Sequence, residues 1–333
     1  MRSGIREWFD QNTSTATDWP LKDVLLAKGG RTVDVILPAL NEQQTVGRIV
    51  SEISSVLMTA DAPLVDDLVV VDSGSVDSTA RVAAAAGARV VQRRDVFPDL
   101  RIEVGKGEAM WRALAATSGD VVVFIDADLR SFTADYVVGL LGPLLAQPEV
   151  QLVKAVYDRP LVSGETFIPA GGGRVTELVA RPLLNALWPE LAGIAQPLAG
   201  EYAAERKLLE GLQFPCGYGV EIGLLVDTYR QLGLAGLAQV DLGERRHRHQ
   251  DSAGLANMSA QVLHAALARA PGSDGFQPQE SATLLTFAHN ESGFTTSEQE
   301  LQTKERPPLV TTAEYLLARE VPDLVQALTD SSR

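Results

Sequence analysis

Val121-Val122-Val123-Phe124-Ile125-Asp126-Ala127-Asp128 decides the fold: five apolar residues run straight into two carboxylates one residue apart. A continuous, largely β-branched run bounded by polar residues reads as a strand buried on both faces, the kind that parallel sheets contain. Three upstream runs share this character: 33–37, which stops at Pro38, 68–71, which stops at Asp72, and 89–92, just after Gly87. Helical spacing separates them. Val46, Ile49, Val50, Ile53 and Leu57 share one face, with Asn41 as the expected N-cap. Asp77 is expected to cap an alanine-rich helix that stops at Gly87, and a helix over 108–117 is followed by Gly119. Strands alternating with helices predict an α/β fold with a doubly wound, mostly parallel sheet. Ligands of such sheets bind beyond the carboxyl ends of the strands, so the polar residues directly after each strand become the candidates.

The bulk properties narrow the function. The chain has 333 residues, 45% hydrophobic and 22% charged, enough for a sizeable core. A net charge of −14 argues against a nucleic-acid partner and against binding to an anionic membrane. The single cysteine, Cys216, leaves no internal disulfide and no Cys-based zinc site. No segment reads as a signal peptide or reaches the roughly 18 apolar residues of a membrane span, so a soluble, cytoplasmic protein is expected. Residues 1–30 read as an N-terminal arm anchored by Trp8, Phe9, Trp19 and Leu21, and 31–150 as the nucleotide-binding domain. A second lobe over 151–270 carries strands at 152–157 and 237–242 and a mobile loop at 160–173. Its helices present Val175, Leu178, Val179 and Leu183 on one face, and Ile222, Leu225, Val226 and Tyr229 on another. Residues 271–333 read as an extended tail ending in a helix near 313–328, and no internal repeat is visible.

Five clusters carry chemistry. Asp126 and Asp128 offer hard oxygen ligands that suit Mg2+ or Mn2+ beside phosphate oxygens, although two aspartates can also just cap the next helix. Asp72-Ser73-Gly74-Ser75 can present hydroxyls and backbone N–H groups to a nucleotide, or form an ordinary turn. Gly105-Lys106-Gly107 sets a cation at a helix N-terminus, an anion site if it is more than a loop lysine. Gly171-Gly172-Gly173-Arg174-Val175-Thr176 combines backbone amides, a helix start and a guanidinium into a phosphate or carboxylate pocket, with a plain hinge as the alternative. Arg245-Arg246-His247-Arg248-His249 is the densest cationic run of an acidic chain. His247 can complete a metal shell while the arginines hold substrate phosphate; otherwise the run is a solvated loop.

With those pieces in order, the chain resembles the retaining GT-A-fold glucosyl-3-phosphoglycerate synthases of actinobacteria and their mannosyl-transferring relatives. The likeness covers residues 20–265. It rests on the motifs at 37–42 (Leu-Pro-Ala-Leu-Asn-Glu), 72–75, 105–109 and 126–128, and more specifically on 171–184, 196–202 (Gln-Pro-Leu-Ala-Gly-Glu-Tyr) and 217–225. The resemblance implies a GT-A fold with a smaller C-terminal acceptor-binding lobe. It places Pro38, Ala39, Leu40, Glu42, Ser73, Lys106, Asp126 and Ala127 around the nucleotide, and the divalent metal on Asp128 and His247. Gly173, Arg174, Val175, Thr176, Arg245, His249 and Met258 would take the phosphoglycerate, Tyr218 and Glu221 would face the sugar, and Leu198 would lie beside the anomeric carbon. Catalysis would rest on Asp128, Leu198, Glu221 and Arg245. Ala127 stands where glucosyl enzymes often carry Ser, and His249 where Asn is expected. The implied enzyme moves a hexose from a nucleotide sugar, UDP-glucose in preference to GDP-mannose, to the 2-hydroxyl of 3-phosphoglycerate, and works as a homodimer. Competing readings are a nucleotidyltransferase and a non-catalytic nucleotide-sugar sensor. A nicotinamide dehydrogenase fits less well, because the first strand lacks G-x-G-x-x-G.

Overall fold

The structure is a computed structural model describing residues 3–158, 161–163, 166–168, 173–244, 252–272, 282–290 and 293–319. The chain opens with α1 (Ser3–Asn12), β1 (Thr13–Thr15) and α2 (Leu21–Lys28). The expected alternation follows: β2 (Val33–Ala39), α3 (Val46–Leu57), β3 (Asp67–Asp72), α4 (Thr79–Ala85), β4 (Arg89–Gln92), α5 (Lys106–Ala115), β5 (Val121–Phe124) and α6 (Asp135–Ala146). Next come β6 (Leu152–Asp158), the short pair β7 (Leu161–Ser163) and β8 (Thr166–Ile168), then α7 (Arg181–Leu187), β9 (Tyr202–Glu205) and α8 (Arg206–Glu210). The remainder is β10 (Phe214–Pro215), α9 (Val220–Leu232), β11 (Leu237–Glu244), α10 (Ser252–Leu267), a hairpin of β12 (Thr283–Asn290) and β13 (Gly293–Glu300), and β14 (Glu305–Arg306).

Eight strands make one sheet in the order β1-β11-β6-β9-β5-β2-β3-β4. Every pairing is parallel except those of β9, which lies antiparallel between β5 and β6. The arm does more than pack: β1 is hydrogen-bonded to β11 as the sheet's edge, with Thr13 opposite Gln239. Nothing in Thr13-Ser14-Thr15 alone signals this, because a three-residue polar strand has no hydrophobic period to read.

The sheet is apolar on both sides, which is why its strands read as unbroken runs. Val33, Val35 and Leu37 of β2 face a core completed by Ile49 and Ile53 of α3 and Leu140 of α6. Ile36, from the same strand, points the other way, to Trp111, Phe124, Tyr202 and Leu225. Each such fully buried side chain contributes about 1.5–3 kcal/mol against leaving it in water, as an upper bound. Among the described residues, no helix is long and apolar enough to cross a membrane.

Four local expectations need correction. Asn41 does not cap α3, which starts at Val46; it sits at φ 60 and accepts the Val76 N–H through Oδ1, a backbone state that asparagine tolerates. Leu178 is 74% exposed, because the chain makes a π turn over Thr176–Ala180. The wider turn rotates the helix face, so Val175, Thr176, Ala180 and Leu184 become its buried residues. The segment 160–173 holds the antiparallel pair β7–β8 rather than a loop throughout. The tail is not simply extended: β12 and β13 pair over eight residues each, and β14 pairs with β10. Residues 313–319 are helical as expected, and 320–328 lie outside the described residues.

Candidate active site

The carboxyl ends of β2 and β3 lie in register, Ala39 opposite Asp72, and the loops that leave them are bound to each other. The Ser73 N–H donates to the Ala39 carbonyl (2.9 Å), Asn41 N–H to Ser75 Oγ (2.9 Å) and Glu42 N–H to Thr79 Oγ1 (2.7 Å). Buried Asp72 shapes the second loop by accepting the Ser75 N–H. Pro38, Ala39, Leu40, Glu42 and Ser73 therefore belong to one braced surface, from which Leu40 projects with 54% exposure. One cation here escaped the sequence reading. Arg93, just past β4, donates to the Ser73 carbonyl at 3.2 Å; burial pushes its guanidinium pKa down against the pull of Glu108 and Asp72. The signal was available, since Gln92-Arg93 leaves a strand on the same rim.

Asp126 follows β5 and meets Lys106 at the start of α5. Lys106 Nζ lies 2.6 Å from Asp126 Oδ1 and 2.8 Å from Glu221 Oε1 in the first turn of α9. Burial works against the ammonium, but the two carboxylates outweigh it and hold its pKa well above the usual lysine value. The loop before β9 presses against this cluster. A Cβ on Gly200 would press on the Asp126 carboxylate and the Lys106 ammonium, so a larger residue there must push the cluster aside. Thr45 Oγ1 donates to the Ala127 carbonyl (2.6 Å), tying the Asp126-Ala127-Asp128 turn to the segment that follows β2.

The glycines around Lys106 have a mechanical reason. A Cβ on Gly107 would fall 1.8 Å from the Pro215 carbonyl oxygen, and one on Gly105, whose φ is +127, would fall 2.5 Å from that of Cys216. The chain at 215–216 lies flush on the helix start, and the Glu108 N–H donates to the Cys216 carbonyl (2.9 Å). Behind it, β14 pairs with β10, and Arg306 of β14 reaches the fully buried Glu108 at 2.6 Å; Arg112 takes the same carboxylate at 2.7 Å. The late segment thus sets the platform that aims Lys106. Gly107→Ala is expected to cost about 3 kcal/mol or more, since backbone rather than a flexible side chain must yield; a thermal melt checks this, and an unchanged melting temperature would refute the packing argument.

Further along the chain, Gly173 takes φ +73 and its carbonyl accepts the Glu177 N–H (3.0 Å), opening the turn that carries exposed Arg174, buried Val175 and Thr176. The following π turn lies against α10, the helix that holds Met258. Tyr218 is fixed by its N–H to Gln261 Oε1 (2.8 Å), three residues further along α10 than Met258. Leu198 occupies a tight turn just ahead of Gly200. The structure therefore brings Lys106, Asp126 and Glu221 into direct contact and places Tyr218 and Met258 through one helix. Gly171, Gly172, Arg245, Arg246, His247, Arg248 and His249 lie outside the described residues; β11 runs parallel to β6 and ends at Glu244, immediately before the Arg-His run.

The donor set suits a divalent cation of the Mg2+ type. Among the described residues no three His, Cys, Asp or Glu side chains form a closed metal cage. Mg2+ and Mn2+ ask for less: one or two carboxylates, with waters and substrate phosphates completing the shell. Asp128 after β5, beside an Asp126 already engaged by Lys106, meets that description.

An open, mostly parallel sheet that collects its carboxylates where β5 emerges, beneath the paired loops that follow β2 and β3, is the GT-A arrangement, and the class it defines is glycosyltransferase. The family model described as "Glycosyl transferase family 2" matches residues 34–164. A glucosyl-3-phosphoglycerate synthase of Mycolicibacterium smegmatis is 48% identical over 304 residues, covering 91% of this chain and 97% of that protein. One from Petrotoga mobilis is 40% identical over 302 residues, 89% of this chain and 92% of its own. The crystal structure of glucosyl-3-phosphoglycerate synthase from Mycobacterium tuberculosis in complex with Mn2+, UDP-glucose and phosphoglyceric acid superposes with a TM-score of 0.77 at 47% identity, over 90% of this chain and 97% of that one. The chain belongs to the glucosyl-3-phosphoglycerate synthase family.

Proposed function

We propose that this protein transfers glucose from UDP-glucose to the 2-hydroxyl of 3-phospho-D-glycerate, with retention of the anomeric configuration, giving glucosyl-3-phosphoglycerate and UDP. The observation that carries the reading is the Lys106–Asp126–Glu221 cluster at the β5 exit, in a chain 47% identical to one crystallised with UDP-glucose and phosphoglyceric acid. Residues 31–150 hold the donor through Pro38, Ala39, Leu40, Glu42, Ser73, Lys106, Asp126 and Ala127. Residues 151–270 hold the acceptor, with Gly173, Arg174, Val175 and Thr176 at a helix start whose dipole favours an anion, and with Arg245, His249 and Met258 around them. Tyr218 and Glu221 face the sugar.

Asp128 and His247 hold Mg2+ or Mn2+, which when bound neutralises the charge that develops on the diphosphate. Leu198 closes the pocket beside the anomeric carbon, and Arg174 and Arg245 orient the acceptor phosphate. The acceptor oxygen bonds to the anomeric carbon on the face the UDP oxygen leaves, and its proton passes to that departing oxygen. No side chain need act as a covalent nucleophile, so positioning supplies most of the rate. The protein acts in the cytoplasm as a homodimer. The β12–β13 hairpin supports association, because Phe287 and Phe294 are 65% and 76% exposed and would be covered by a second copy; light scattering should return twice the chain mass.

The test is an activity matrix of UDP-glucose and GDP-mannose, each with 3-phosphoglycerate, with Mg2+ or with a chelator. UDP release with UDP-glucose that stops on chelation is expected. Preference for GDP-mannose would make the chain a mannosyl-3-phosphoglycerate synthase, pyrophosphate release a nucleotidyltransferase, and donor binding without turnover a sensor.

A further inference from the structure

Lys154 sits in the middle of β6, between β11 and β9, and only 2% of it is exposed. Its strand neighbours Val153 and Ala155 are core residues. A buried ammonium costs several kcal/mol unless something compensates for it, and a leucine or methionine would fill the same place without that cost. The compensation identifies what the residue serves. Nζ donates to the Ala199 carbonyl at 2.6 Å and stands 4.8 Å from the centre of the Tyr202 ring. Burial pushes its pKa down to about 8, while Glu221, Glu201 and Asp126 act in the opposite sense. Lys154 is thus electrostatically joined to the donor cluster without touching it.

The Ala199 carbonyl lies in the stretch that packs on Asp126 and Lys106 through Gly200. Here the chain turns at Pro197-Leu198, closed by the Ala199 N–H to the Gln196 carbonyl (3.0 Å). Gly200 then lies flush on Asp126 and Lys106, and Glu201 returns to β6 through the Ala155 N–H (3.1 Å) and the Tyr157 hydroxyl (2.8 Å). Three attachments to β6 hold the stretch: a main-chain bond, a tyrosine and a lysine. The lysine is the one next to Leu198.

We infer that Lys154 is a positioning residue for transfer: it fixes the Ala199 carbonyl from beneath, and so holds the Leu198 turn against the Lys106–Asp126–Glu221 cluster, where the glucosyl unit reacts. The inference rests on the function proposed above. A turn held by its neighbour's carbonyl keeps its place when charge builds on the sugar. Released, it still admits the donor but no longer excludes water from the anomeric carbon.

The experiment compares wild type, Lys154→Met and Lys154→Gln in full-length protein with UDP-glucose, 3-phosphoglycerate and Mn2+. It measures kcat, donor dissociation constant, melting temperature, and the ratio of donor hydrolysis to transfer. For Lys154→Met, kcat falls about 10- to 100-fold, as misplacement of a reacting group does. Donor affinity stays within roughly threefold, as for a group acting chiefly in the transition state. The hydrolysis ratio rises and the melting temperature moves little, since removal of a buried charge offsets the Ala199 carbonyl left without its donor. Lys154→Gln, which keeps an N–H donor, retains more transfer than Met; it is the variant read should Met fail to fold. A kcat and hydrolysis ratio equal to wild type in the folded variant overturn the inference. An inactive wild type would instead overturn the proposed function and is seen in the same assay.

Discussion

Asp128→Asn is expected to lower glucosyl transfer by about a hundred- to a thousandfold while leaving the fold intact, since a metal polarising the leaving group is worth several kcal/mol in the transition state. The side chain is partly buried directly after β5, and asparagine keeps its shape. UDP release at saturating UDP-glucose, 3-phosphoglycerate and Mn2+ measures the loss, and donor binding should become insensitive to Mn2+. Full activity in the variant would remove the metal from the scheme. Asp126→Asn is a useful contrast, because Asp126 is engaged by Lys106: its loss should disturb the ion-pair cluster as well as the donor.

Lys106→Met should damage both stability and activity. It leaves Asp126 and Glu221 without the cation that lies 2.6 and 2.8 Å from them. Removing one partner of a buried ion pair costs about 3–5 kcal/mol, and with a fifth of the Lys106 side chain exposed the lower end applies. Transfer should fall about a hundredfold or more through loss of the charge beside the donor. The pH dependence has a definite sign. In the wild type the Lys106 pKa lies well above its usual 10.5, so its contribution is fully present below that value and lost only as pH rises through the folded pKa. In the variant, two facing carboxylates favour proton uptake, so the stability deficit should shrink as pH falls into the carboxylate range. Chemical denaturation at several pH values measures this; a deficit that grew towards acid would show that the carboxylates do not repel one another.

Much of the first half of the sheet was legible because its physics is local. The runs ending at Pro38, Asp72 and Asp126 announce buried parallel strands, and a parallel sheet dictates where the rim lies. The correct partner of Lys106 could be guessed only in part. Glu221 lies in a helix far along the chain, and no periodicity links it to residue 106; the family resemblance, not spacing, brought it to the site. Asn41 misled because asparagine serves both as a cap and at left-handed φ, and the choice depends on a loop more than thirty residues away. Leu178 misled because a single π turn changes the helical period within two residues of Arg174 and Thr176. Lys154 was passed over as one polar letter in an apolar strand. Arg306 was missed because β14 is two residues long and has meaning only against β10.

Arg306 also bears on the order in which the protein becomes competent. The whole eight-stranded sheet is complete once Glu244 has joined it, yet the helix start that carries Lys106 is braced by a residue made more than sixty positions later. A growing polypeptide can therefore have its sheet assembled while Lys106 is still unsupported. The helix start gains that support only once Arg306 has reached Glu108.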